Sequence, residues 1–138
     1  MNAADPTSLL AKFVAEVDAH QIPEPVLHAT RRALVDHIGV TVAGSTDDIP
    51  RRARSAIAAS ENGGGATVVG DRMRVSPPFA AFLNAFASHV LDLDDVYNPP
   101  GTTVHGSCSV WPAILAIADT RPVSGRDALA SFAIGFEV

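Results

Sequence analysis

Pro77-Pro-Phe-Ala-Ala-Phe-Leu-Asn-Ala-Phe-Ala-Ser-His-Val90 decides the fold class. Two prolines preset the backbone for the first turn of a helix. Phe79, Phe82, Leu83, Phe86 and Val90 then recur at spacings of three and four, the period of one helix face rather than the alternation of a strand. Such a stripe is expected to be core. The same period appears on both sides. Residues 7–20 carry Leu9, Leu10, Phe13, Val14 and Val17 at helical spacing. After the Ile22-Pro-Glu-Pro25 break, a second helix should turn Leu27, Leu34, Ile38 and Val42 inward and Arg31 and Arg32 outward, ending near Gly44. Asp47 or Asp48 can cap a third helix with Pro50 in its first turn and Arg51, Arg52 and Arg54 on a solvated face, stopped by Asn62-Gly-Gly-Gly65. A fifth helix should start at Ser107 and carry Trp111, Ile114, Leu115 and Ala118. Ser124 with Asp127 forms a capping box for a sixth through Leu129, Phe132 and Phe136. Residues 66–70 (Ala-Thr-Val-Val-Gly) are the one strand-like segment, too short to imply a sheet. The sequence predicts an all-α, bundle-like single domain over 1–138.

The composition narrows the function. The 138 residues are 47% hydrophobic and 18% charged, which suits a globular chain and not a disordered one. A net charge of −5 lacks the basic stripe of a nucleic-acid binder. No apolar run approaches the ~20 residues of a membrane span, and the first residues do not resemble a secretory signal. A cytoplasmic protein with neither nucleic-acid nor membrane partners is expected. Cys108 is the only cysteine, which excludes a disulfide framework and a cysteine-based zinc site. Lys12 is the only lysine, so chemistry that requires another must draw on residues outside this sequence.

Titratable side chains are densest at His89-Val-Leu-Asp92-Leu-Asp94-Asp95, followed by His105. If the helix reached that far, His89 and Asp92 would share one face. Three carboxylates within four residues repel one another and raise a pKa unless a cation or donor compensates. Raised carboxyls and ordinary imidazoles are the groups that acid–base chemistry near neutral pH uses. The bland alternative is a solvated helix end. His105 precedes the expected helix start at Gly106-Ser107, where free N–H groups suit a carboxylate or phosphate. Thr102 and Thr103 are assigned to a turn. Cys108 reads as a small half-buried thiol rather than a nucleophile, and His20, His28 and His37 as surface or satisfied core imidazoles. Gly63-Gly-Gly65 lacks the Gly-Lys-Ser/Thr ending of a phosphate loop, and Asp92-x-Asp94-Asp95 lacks the glycine and distal glutamate of a calcium loop.

Several motifs in order carry a resemblance: Asp36-x-x-Gly39 with Ala43-Gly44, Ala66-Thr-Val-x-Gly70, the run from Asn84 through His89, Asp92, Asp94 and Asp95, His105-Gly-Ser107, Pro112 to Ala118, Ser124-Gly125 and Gly135-Phe-Glu-Val138. Together they resemble the MmgE/PrpD family, which contains 2-methylcitrate dehydratase, cis-aconitate decarboxylase and iminodisuccinate epimerase. The resemblance implies an all-helical N-terminal domain of a larger two-domain, homodimeric enzyme. It also implies cofactor-independent elimination, decarboxylation or epimerisation of a small polycarboxylate. It carries Asp92 and His105 over as catalytic candidates, with His89, Asp95 and Ser107 lining the substrate site and no metal. Because the family's active-site lysines lie downstream, the isolated chain is expected to be a fragment without turnover. Two other readings stay open: a non-catalytic interaction module docking through an exposed Phe132–Phe136 face, and a Mg²⁺-dependent enzyme using Asp92, Asp94 and Asp95.

Overall fold

A computed structural model describes residues 5–61 and 63–138. Residues 1–4, which begin the segment read against a secretory signal, and Asn62, the first residue of the expected helix stop, lie outside the described residues. Among the described residues six α-helices follow in order: α1 (Pro6–Glu16), α2 (Glu24–Gly44), α3 (Asp48–Ala58), α4 (Pro77–His89), α5 (Gly106–Ala118) and α6 (Gly125–Glu137). A two-stranded antiparallel ladder of β1 (Ala66–Thr67) and β2 (Arg74–Val75) sits between α3 and α4, with Ala66 opposite Val75. The all-α expectation holds. The strand-like segment is shorter than 66–70 and finds a partner.

Local signals place most boundaries. Asp5, Asp47 and Ser124 each accept from a first-turn amide, satisfying donors that a helix start leaves free. The Ser124 hydroxyl also donates to Asp127 at 2.7 Å, and the Asp127 amide returns the bond at 3.0 Å. The first helix ends earlier than expected. Asp18 accepts from the His20 amide at 2.8 Å and opens a separate 3₁₀ turn, Ala19–Gln21.

α4 is central and packs against α2, α5, α3 and both strands. Its buried face is Ala80, Leu83, Asn84, Ala87 and Ser88. The aromatic stripe read as core faces outward instead: Phe79, Phe82 and Phe86 are 40%, 54% and 38% exposed. Small residues on the inner face let neighbouring backbones approach more closely than phenylalanine would allow. Gly44 shows how close α2 comes, since a Cβ there would lie 2.0 Å from the Ala87 carbonyl oxygen. Asn84 is buried because it ties α4 to the strand segment: Oδ1 accepts from the Val69 amide and Nδ2 donates to the Thr67 carbonyl, both at 2.9 Å.

α2 also turns a different face inward. Leu27, Thr30, His37, Thr41 and Gly44 are buried, whereas Ile38 and Val42 are exposed and Leu34 is half-buried. Thr30 and Thr41 can be buried because their hydroxyls donate to carbonyls one turn back, on Leu27 and His37. Arg54 leaves the solvated face assigned to it. It is buried, donates from Nη2 to the Ser45 carbonyl at 2.8 Å and pairs through Nε with Asp71 at 3.5 Å, while Arg51 and Arg52 stay exposed. On α6 the expected exposed aromatic face divides. Phe132 is buried and stacked on Trp111 at 4.4 Å, and Phe136 is 37% exposed. Among the described residues no helix is long and apolar enough to cross a membrane.

Candidate active site

The loop between α4 and α5 brings the expected residues together by a route other than helix periodicity. α4 stops at His89, and the Asp92 amide donates to the His89 carbonyl at 2.9 Å with Asp92 at a φ of +53°. Aspartate tolerates this left-handed backbone better than most residues. The reversal, and not a shared helix face, keeps Asp92 beside His89. Tyr97 and Val104 then exchange backbone bonds of 2.8 and 2.9 Å, and Thr103 donates to Asn98 Oδ1 at 2.8 Å, so this threonine supports the turn assigned to it. That clasp returns His105 to His89, with ring centroids 4.7 Å apart.

Asp94 is the hub. Its side chain is fully buried while its neighbour Leu93 is 64% exposed, the reverse of what hydropathy predicts. Its carboxylate faces His89 Nδ1 at 3.0 Å and His105 Nδ1 at 3.2 Å. Burial alone would raise the carboxyl, but hydrogen bonds from His89 and the Cys108 thiol outweigh it and hold it below the usual carboxylate range. Sequence reasoning gave His89, Asp92, Asp95, His105 and Ser107 roles at the site and used Asp94 only in the Mg²⁺ alternative, with no part in the acid–base reading. Only its place between two histidine-bearing segments could have signalled it.

Asp95 takes the position that the sequence reading reserved for a ligand. Its Oδ1 accepts from the Ser107 amide at 3.0 Å, so an internal carboxylate already serves the α5 N-terminus. Asp95 also borders an open cleft of about 700 Å³ along α2, lined by His28, Arg32 and Asp36 among others. The four side chains of His89, Asp92, Asp94 and His105 do not line that cleft; each offers a donor atom, and these atoms lie within 4.8 Å of one another. Ser107 is fully buried and its hydroxyl has no partner among the described residues. Cys108 fits the unreactive reading, because burial and the Asp94 carboxylate push its thiol up to about 11.

One further group was underrated in the sequence. His37 on α2 is 1% exposed and its Nδ1 has no hydrogen-bond partner among the described residues. Burial pushes its imidazole down to about 4, against the opposing pull of Asp95 and Asp94. It is a core imidazole, but an unsatisfied one held neutral beside the acidic pair.

Chemically, this is a pair of imidazoles oriented by one buried carboxylate at a helix start. When the Nδ1 atoms donate to Asp94, the Nε2 atoms carry the basic lone pairs. The sequence as a whole is similar to those of three named proteins. Human cis-aconitate decarboxylase is 28% identical over 137 residues, covering 96% of this chain and 28% of the human protein. The cis-aconitate decarboxylase-like protein oryM of Aspergillus oryzae is 30% identical over 138 residues, covering 95% and 28%. The mouse cis-aconitate decarboxylase is 26% identical over 137 residues, covering 96% and 28%. The chain thus spans 28% of the length of these relatives. The model of the MmgE/PrpD N-terminal domain matches residues 8–138, nearly the whole sequence, and the chain belongs to the MmgE/PrpD family.

Proposed function

We propose that this chain supplies the acid–base part of a lyase-type active site for a small polycarboxylate of the cis-aconitate or 2-methylcitrate kind. The observation that carries the reading is the buried Asp94 carboxylate shared by His89 and His105. A carboxylate behind an imidazole fixes its tautomer and stabilises the imidazolium that forms when the outer nitrogen takes a proton. His105, 24% exposed at its side chain, can face a substrate while keeping that contact. In this scheme His105 Nε2 removes or returns the proton next to a substrate carboxylate, and Asp92 and His89 flank it. Asp95 and Ser107 hold the start of α5 in place beneath. Dehydration, decarboxylation and epimerisation all begin or end with such a transfer. Partner groups that neutralise the substrate carboxylates come from other parts of a two-domain, homodimeric, cytoplasmic enzyme, so this chain alone performs no turnover.

The test is a heteronuclear NMR titration of the chain with cis-aconitate and citrate. Selective shifts of the His89 and His105 ring signals, lost in His105→Ala, are expected. Shifts confined to the α2 arginines would sink the assignment, and turnover of cis-aconitate or 2-methylcitrate by the purified chain would refute its inactivity. The exposed Phe79, Phe82 and Phe86 support a second reading, a non-catalytic interaction module. Absence of any ring shift together with a stable hetero-complex favours it.

A further inference from the structure

We propose that His89, Asp92, Asp94 and His105 also form a site for a divalent transition-metal ion of the Zn²⁺ type, which occupies the acid–base centre and blocks it. Two imidazoles and two carboxylates offer donor atoms within 4.8 Å of one another. The separations of 3.0 and 3.2 Å between Asp94 oxygens and the two Nδ1 atoms are close to those between neighbouring ligands of a tetrahedral ion bound at ~2.0–2.1 Å. Imidazole donors select Zn²⁺, Co²⁺ or Ni²⁺ over Mg²⁺ and Ca²⁺, which prefer an all-oxygen shell. The donor set is unlike the Asp92, Asp94 and Asp95 trio imagined for Mg²⁺, because Asp95 is turned to the Ser107 amide.

The metal and the hydrogen-bonded arrangement exclude each other. A neutral histidine that donates from Nδ1 to Asp94 must shift that proton to Nε2 before Nδ1 can bind an ion. No proton is lost from a neutral ring in that exchange, whereas a protonated ring releases one. An ion at Nδ1 therefore removes the basic Nε2 lone pair on which the proposed function relies. The inhibitory consequence rests on that reading, but the binding itself does not.

Titration of the chain with Co²⁺, followed by its visible d–d absorption and by histidine nitrogen NMR, tests the site. One ion per chain, bands of tetrahedral intensity, displacement by Zn²⁺ and movement of the His89 and His105 ring protons from Nδ1 to Nε2 are expected. Asp94→Asn keeps the side-chain shape and should weaken binding by roughly 10-fold or more. His105→Ala should remove the tetrahedral bands, and His20→Ala should change nothing. Lack of tetrahedral bands, or bands that survive both Asp94→Asn and His105→Ala in folded protein, would overturn the proposal. Co²⁺ binding in a chain whose ring signals ignore polycarboxylates would support the metal site while removing the lyase reading.

Discussion

The buried carboxylate of Asp94 lies 3.2 Å from Nδ1 of His105, across the loop between α4 and α5. That contact, with its counterpart to His89, holds the loop against the end of α4. Asp94→Asn keeps the shape but removes the charge that both imidazoles face. A loss of about 1–3 kcal/mol in urea unfolding at neutral pH is expected, since hydrogen bonds to a charged group are lost from a buried site. Because the folded carboxyl is held below its ordinary value of 3.8, its stabilisation is present above that value and disappears as pH falls through the depressed one. The variant should lack this acid-side loss.

His37 titrates in a different window. Its imidazole falls from an ordinary 6.5 to about 4 on folding, so the unfolded chain binds a proton more readily between those values. The folded state is thus favoured above pH 6.5 and progressively disfavoured as pH drops toward 4, by on the order of 3 kcal/mol in total. Urea midpoints measured at pH 7 and pH 5 should differ for the natural chain and converge in His37→Leu, which removes the unsatisfied Nδ1 while filling the space. An unchanged pH dependence in that variant would show that His37 is not the group responsible.

These two residues mark where the sequence ceased to be legible. Helices announced themselves through prolines, the capping aspartate of α3 and the Ser124–Asp127 box, all local signals whose partners lie within a few residues. The identity of each inner face was not local. On α4 the choice fell between a phenylalanine stripe and a face of Ala80, Leu83, Asn84, Ala87 and Ser88, and close approach to α2 and α5 decided for the smaller residues. The site followed the same division. His89, Asp92, Asp95 and His105 could be found as a cluster, but the burial of Asp94 depends on a loop clasp formed by Tyr97 and Val104, which no periodicity encodes.

Gly44 tests the close approach directly. A methyl group there would meet the Ala87 carbonyl at 2.0 Å and a Val90 methyl at 2.9 Å, and the first of these is backbone that cannot rotate away. Gly44→Ala should destabilise the fold by about 1–3 kcal/mol despite the higher helix propensity of alanine. Gly39→Ala, with nothing within 4 Å among the described residues, should be neutral or mildly stabilising by thermal melting. Equal melting temperatures for the two variants would contradict the packing described.

The outward phenylalanines set the behaviour of the isolated chain. Phe79, Phe82 and Phe86 lie on one face of α4, and the rings of Phe82 and Phe86 are 5.7 Å apart. A contiguous apolar patch of this kind drives association when nothing covers it. Sedimentation should therefore show concentration-dependent self-association of the 138-residue chain. Phe82→Ser should reduce it while changing unfolding stability by no more than about 0.5 kcal/mol, as expected of an exposed position. Phe132→Ala should do the opposite, because Phe132 is buried against Trp111 and its truncation costs about 3–5 kcal/mol. If Phe82→Ser left association unchanged, the adhesive surface would have to be sought on α1, where Leu9, Leu10, Phe13 and Val14 are also exposed.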